Sequence, residues 1–344
     1  MSAFEPWVLW RLAAGLVALC LFARAAWVAM RVLRFGHLGA TSEGQLALER
    51  QAELSATAAR VGAAVQVLAL LLTVVVADRM TPSIRGAMCG YGVVHANEAG
   101  PWSVGSTLGA ALLAGAYWQL LRLDRAHRSL ALLRPVSWGA LVLAGASALD
   151  FGFALQWLGG LDLTAVASCC SSGADAAGEE LARGAGGGWR VWATGAALVA
   201  VPVALGAAVW ASRGGGRARA LAAGAASLAA LPAAAAAVVL EVAPHVYEVP
   251  HHRCPYCLFR ADVWGIGYPL FGALFVAAVW ALGASVGALL TLGAREERDP
   301  FPAFAGPLWR RTALALALAL ALGIAPVVRY AWVSGGASLF AAGP

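Results

Sequence analysis

"TALALALALALG", residues 312–323, decides how this chain is read. Strict alternation is the period of a β-strand, in which every second side chain faces the same way. A half-buried strand needs one apolar and one polar face, and here both alternating residues are apolar. The pattern also sits inside a longer apolar run over 312–333. A helix crossing the hydrocarbon core of a bilayer takes about 20 apolar residues, so length overrules the apparent period and predicts a helix.

Seven further runs of similar length lie at about 7–33, 61–78, 101–122, 136–158, 189–212, 218–243 and 264–293. The expectation is an all-α, polytopic integral membrane protein of eight transmembrane helices, forming a single helical domain over 1–344. Composition agrees with this reading. The 344 residues are 61% hydrophobic and 12% charged, with a mean hydropathy of +0.74. Soluble domains carry about twice that charged fraction, so little here would solvate the surface of one. The bilayer is therefore the first partner implied. The net charge of +6 is scattered through short connections, and nucleic acid is not an expected partner.

All 24 basic side chains are Arg, and their placement sets an orientation. The connections after spans one, three, five and seven hold fifteen of them, among them Arg31, Arg34, Arg122, Arg125, Arg213, Arg217, Arg310 and Arg311. The connections after spans two, four and six hold six: Arg79, Arg85, Arg183, Arg190, Arg253 and Arg260. Cytoplasmic loops are the Arg-rich ones, which puts both termini on the outer, periplasmic face of a bacterial inner membrane. Residues 35–60 then form a cytoplasmic helical extension running into span two. The outer loops are 79–100, 159–188 and 244–263. Span one lacks a positive leading region and reads as an uncleaved helix, with Cys20 as a small buried hydrophobe.

Five of the six cysteines fall in those outer loops: Cys89, Cys169 and Cys170, and Cys254 and Cys257. The Arg-rich connections hold none. This segregation places the thiols where oxidation is permitted. An odd number leaves at least one thiol outside any internal disulfide, which a relay or a metal site would use and a pure staple would not.

The last pair stands in "HHRCPYCLF", residues 251–259. Its Cys-Pro-Tyr-Cys tetrad resembles the active-site tetrad of glutaredoxins, although the membrane setting differs from theirs. Cysteine pairs at the outer face of a helical membrane protein are also similar in concept to the quinone-linked, disulfide-forming membrane enzymes and vitamin K epoxide reductase. The resemblance implies thiol–disulfide exchange or electron relay, with Cys254 and Cys257 as the exchanging pair and Cys169, Cys170 and Cys89 as relay residues. A quinone or a periplasmic thioredoxin-like protein would then be the redox partner. His251, His252 and Arg253 precede Cys254 and would favour its thiolate.

The same residue types suit a thiophilic metal. Cys and His bind Cu(I) or Zn(II), and thiolates bind Fe–S clusters, so Cys254, Cys257, His251, His252 and His95 form a second possible set. Structural disulfides in a permease-like protein or the subunit of a complex are the third reading. Finally, four charges lie inside or near the ends of apolar spans: Arg11, Asp150, Glu241 and Arg329. Such groups face a bundle interior and find partners, and the expectation is a charge cluster in which Arg11 pairs with Asp150 or Glu241. Gly105 and Gly109, and Gly283 and Gly287, have the spacing that lets helices approach closely.

Overall fold

The computed structural model describes residues 5–35, 43–127, 132–161, 188–214, 216–292 and 299–340. Among these there is no strand, and eight helices are long and apolar enough to cross a membrane: Pro6–Phe35, Leu46–Arg79, Ala99–Ala126, Leu133–Gly159, Trp189–Gly214, Arg217–Tyr247, Gly267–Leu290 and Phe301–Val333. They are called spans one to eight below. The alternating Leu–Ala stretch is helical. Leu316 is buried (1% exposed), whereas Leu314 (72%) and Leu318 (50%) face outward; a strand would have put all three on one face.

Two spans are longer than hydropathy alone indicated. Span two continues back to Glu43 as one helix, so residues 43–60 and the apolar run share one rod. Span eight begins at Phe301, eleven residues before the Leu–Ala stretch. Pro302 lies in its first turn, where a missing N–H costs nothing, and the Asp299 carboxylate accepts the Phe301 N–H at 3.1 Å.

The helices cluster in two compact units. The first comprises 1–79, 94–163 and 283–304; the second comprises 80–93, 164–282 and 305–344. In the first, span one packs against spans two and four, and span three against the same two. Their shared core is small: Ala18, Ala25, Ala63, Ala114 and Ala140 surround Phe22, Tyr117 and Leu143. Alanine lets these helices close in, and Gly62 closes them further, since a Cβ there would sit 2.8 Å from the Phe22 ring. Of the two glycine pairs, Gly283 and Gly287 make close contacts: an added Cβ would lie 2.6 Å from Gln119 and 2.9 Å from Leu123 of span three. At Gly105 and Gly109 an added Cβ would meet nothing within 4 Å.

In the second unit spans five and six form a hairpin, and Val201, Ala204, Ala230, Ala234, Ala277 and Leu316 build the contact with spans seven and eight. Span six is not uniform. Its α-helix gives way to a π-helical turn at Val238–Val242 before resuming at Ala243–Tyr247. The outward surfaces of both units are rich in large apolar side chains. Exposed tryptophans stand near span ends, among them Trp7, Trp10, Trp102, Trp192 and Trp332, the pattern of side chains that sit at a membrane–water interface.

Candidate functional site

Three cysteines meet in the second unit. Cys89 comes from the connection between spans two and three, and Cys254 and Cys257 from the connection between spans six and seven. Their sulfurs all lie within 4.8 Å of one another, with Cys89 Sγ 3.6 Å from Cys254 Sγ. A disulfide would need about 2.05 Å, so these are three thiols in contact.

Local chemistry explains the placement. Cys254 is extended, and Pro255 behind it starts a 3-10 turn over Pro255–Phe259, its fixed φ being suited to that first position. The turn brings the Cys257 N–H to the Cys254 carbonyl at 3.3 Å and puts both sulfurs on one side. The Cys257 carbonyl accepts bonds from the Arg260 N–H at 3.1 Å and from the Tyr247 hydroxyl at 2.8 Å, tying the turn to the end of span six. On the other strand of chain, Cys89 precedes a one-turn helix at Gly90–Val94. Arg260 Nη1 donates to the Met88 carbonyl at 2.7 Å, and this bond clamps the Cys89 segment onto the tetrad.

All three thiols are buried, at 1–4% exposure, beneath Tyr91, Tyr247 and Tyr256. The Tyr91 and Tyr256 rings meet edge to face, 6.2 Å apart. Hydrogen bonding among the thiols, together with burial, sets the direction of their pKa shifts. At Cys254 the hydrogen bond with Cys257 works to lower the pKa, but hydrogen bonding to Cys89 and desolvation together push it up to about 12. Cys257 is raised as well, by its contacts with Cys254 and Cys89 and by burial. Desolvation likewise lifts the Tyr256 phenol to about 12. The expectation that His251, His252 and Arg253 make Cys254 a ready thiolate is therefore corrected: the basic triplet precedes it in sequence, but its sulfur is enclosed by neutral groups.

The other sequence candidates are placed as follows. His251 and His95 are exposed, and His252 lies against the Tyr247 ring with centroids 4.1 Å apart. Among the described residues, the group close enough to share an ion contains Cys89 with Cys254 and Cys257, and no histidine. Cys169 and Cys170 lie outside the described residues. Cys20 is exposed on span one, where a buried residue was expected, because its side of that helix faces away from Ala18 and Phe22.

Of the four charges in or near the ends of apolar spans, Arg11 and Asp150 pair with each other in the first unit, fully buried, at 2.6 Å. Arg11 also donates to Thr73 Oγ1 at 2.6 Å and Thr107 Oγ1 at 2.9 Å. Asp150 accepts from Gln66 Nε2 at 2.7 Å and from the Thr107 hydroxyl. Spans one to four each contribute a group. In the second unit Glu241, on the π-helical turn, pairs with Arg190 at 2.9 Å, and Arg329 pairs with Glu248 at the surface, also at 2.9 Å. The sequence reading passed over Gln66, Thr73 and Thr107, although rare polar residues inside apolar runs are a signal for buried networks. It also passed over Tyr247 and Arg260, for which no local pattern exists.

No family model, no curated protein and no solved structure matches this chain.

Proposed function

We propose that the chain is a multi-pass protein of the bacterial inner membrane, both termini outside, that holds one thiophilic metal ion on Cys89, Cys254 and Cys257. One observation carries the reading: three buried sulfurs from connections far apart in sequence converge within 4.8 Å. Such a cluster gains little as thiols, since S–H groups are weak hydrogen-bond partners. As thiolates around a cation they become strong ligands. A Zn–S bond of about 2.3 Å implies sulfurs about 3.8 Å apart around a tetrahedral ion, and the 3.6 Å between Cys89 and Cys254 lies near that figure. Soft sulfur donors favour Cu(I) and Zn(II). Three donors, a buried setting and no fourth donor within the group among the described residues favour three-coordinate Cu(I). The outer location follows from the arginine asymmetry.

Purified protein, reduced and loaded with Cu(I) or Zn(II) under anaerobic conditions, should retain one ion per chain by elemental analysis. Cys89→Ser should weaken binding by about a hundredfold, as loss of one of three ligands requires, while the protein remains monodisperse. If fully reduced protein retains neither metal, the site is not a metal centre.

Thiol–disulfide exchange is a second reading, favoured by the third thiol standing 3.6 Å from the tetrad. In that scheme a Cys89 thiolate attacks a Cys254–Cys257 disulfide, forms the Cys89–Cys254 bond and releases Cys257 as thiolate; a quinone or a thioredoxin-like protein reoxidises or reduces the pair. Exchange predicts that Cys257→Ser traps Cys254 in mixed disulfides; the metal reading predicts no trapped species.

A further inference from the structure

We infer that the second unit also binds an apolar molecule carrying a hydrogen-bond-donating head, in a half-open cavity lined by spans five to eight. The cavity measures about 240 Å³. Its walls include Leu270 and Leu274 of span seven and Leu320 and Val327 of span eight, and its polar groups are Thr194 of span five and Glu241 of span six. An apolar cavity of about 150 Å³ already accommodates a benzene ring and stays dry, so this one takes a ring or a branched group with several further carbons. An apolar enclosure with one or two fixed polar groups is the usual form of a small-molecule site. The Val238–Val242 turn adds to this, since π-turns inside helices are frequent at functional sites, and this one carries Glu241.

The bonding of Glu241 selects the ligand. Oε2 accepts from Arg190 Nη1 at 2.9 Å and from Thr194 Oγ1 at 3.3 Å. Among the described residues, the group near Oε1 is His245 Nδ1, at 3.9 Å, beyond hydrogen-bonding range, and that nitrogen is engaged with the Glu241 carbonyl at 2.7 Å. One carboxylate oxygen is thus left to accept a bond. Arg190 already balances the charge, so the head that fits is a neutral donor, a hydroxyl or phenol, rather than an ammonium group; an anion would be repelled. The chemistry is that of a membrane-soluble alcohol, supplied either by a quinol or by a long-chain alcohol. It is independent of the thiols.

The test uses full-length protein in phosphatidylcholine nanodiscs and a diazirine-bearing fatty alcohol, with its O-methyl ether as control. Photolabelled peptides are mapped by mass spectrometry. The alcohol should label span seven around Leu270–Leu274 at least fivefold more than the ether, and Glu241→Ala should bring it down to the ether's level. Gly323→Leu should suppress labelling by both, because a Cβ at 323 meets only Val242, at 3.8 Å, and the longer side chain then fills the cavity without disturbing the helices. A short-chain quinol that competes identifies the quinol as the source; competition only by unlabelled long-chain alcohol identifies the other. Equal labelling by alcohol and ether in the unaltered protein, or labelling unaffected by Gly323→Leu, overturns the proposal, and neither result depends on Glu241→Ala folding.

Discussion

Two buried polar centres among the described residues are built on opposite principles. In the first unit unlike groups meet. Arg11 and Asp150 are completely enclosed, and their charges are answered by each other and by Thr73, Thr107 and Gln66. In the second unit like groups meet: three thiols, of which Cys89 raises the cost of ionising both Cys254 and Cys257. The first centre pairs its opposite charges within itself, and its consequence is cohesion among spans one to four. The second holds no charge of its own and would gain one if a cation joined it. Burial of a polar group within apolar helices therefore says little about function until its partners are counted.

The strongest way to break this comparison is to remove one partner from the ion-paired centre. Arg11→Leu strands Asp150 as an uncompensated buried charge and should cost about 3–5 kcal/mol in unfolding titrations. The double variant Arg11→Leu, Asp150→Leu should recover most of that loss, because well-packed apolar groups often replace a buried ion pair without penalty. A double variant as unstable as the single one would mean that the centre is held by something other than its charges.

The thiol centre should respond to pH where the Arg11 centre does not. With Cys254 and Cys257 both raised, each ligand gives up a proton when the metal binds. Affinity should then rise about a hundredfold per pH unit between pH 6 and 8 from these two alone, measured by competition with a chelator of known affinity. A flat profile would show that the ligands are already ionised. The metal-free protein should run the other way. Its thiols titrate above the ordinary value of about 8.5, so the stability they contribute is present below that pH and is lost as pH climbs towards 12.

The smallest effect concerns the frame of the site. Tyr247→Phe removes the hydroxyl that donates to the Cys257 carbonyl at 2.8 Å and should cost about 1 kcal/mol in thermal unfolding, the usual net worth of one such bond. Metal stoichiometry should stay at one. A lost ion would place Tyr247 among the groups that position the ligands.

Much of the fold was legible because it depends on local quantities. Span length and the absence of any polar face in 312–323 are both read along the chain. The π-turn was not, since Val238–Val242 is as apolar as the helix before it and its conformation comes from packing. The candidate site was half legible. The tetrad announces that Cys254 and Cys257 adjoin, but nothing near Cys89 says that it will meet them, because the clamp from Arg260 to Met88 acts across 172 residues. The neighbouring histidines drew attention by proximity in sequence, and the folded loop leaves His251 at the surface.

That long separation has a meaning in time. Cys89 is made 165 residues before Cys254, and at about 5–20 residues per second its partners follow roughly 8–33 s later. During synthesis, then, a lone thiol waits outside the site it will complete, open to whatever oxidant or metal the compartment holds. Newly made and mature protein should differ sharply in how readily Cys89 reacts.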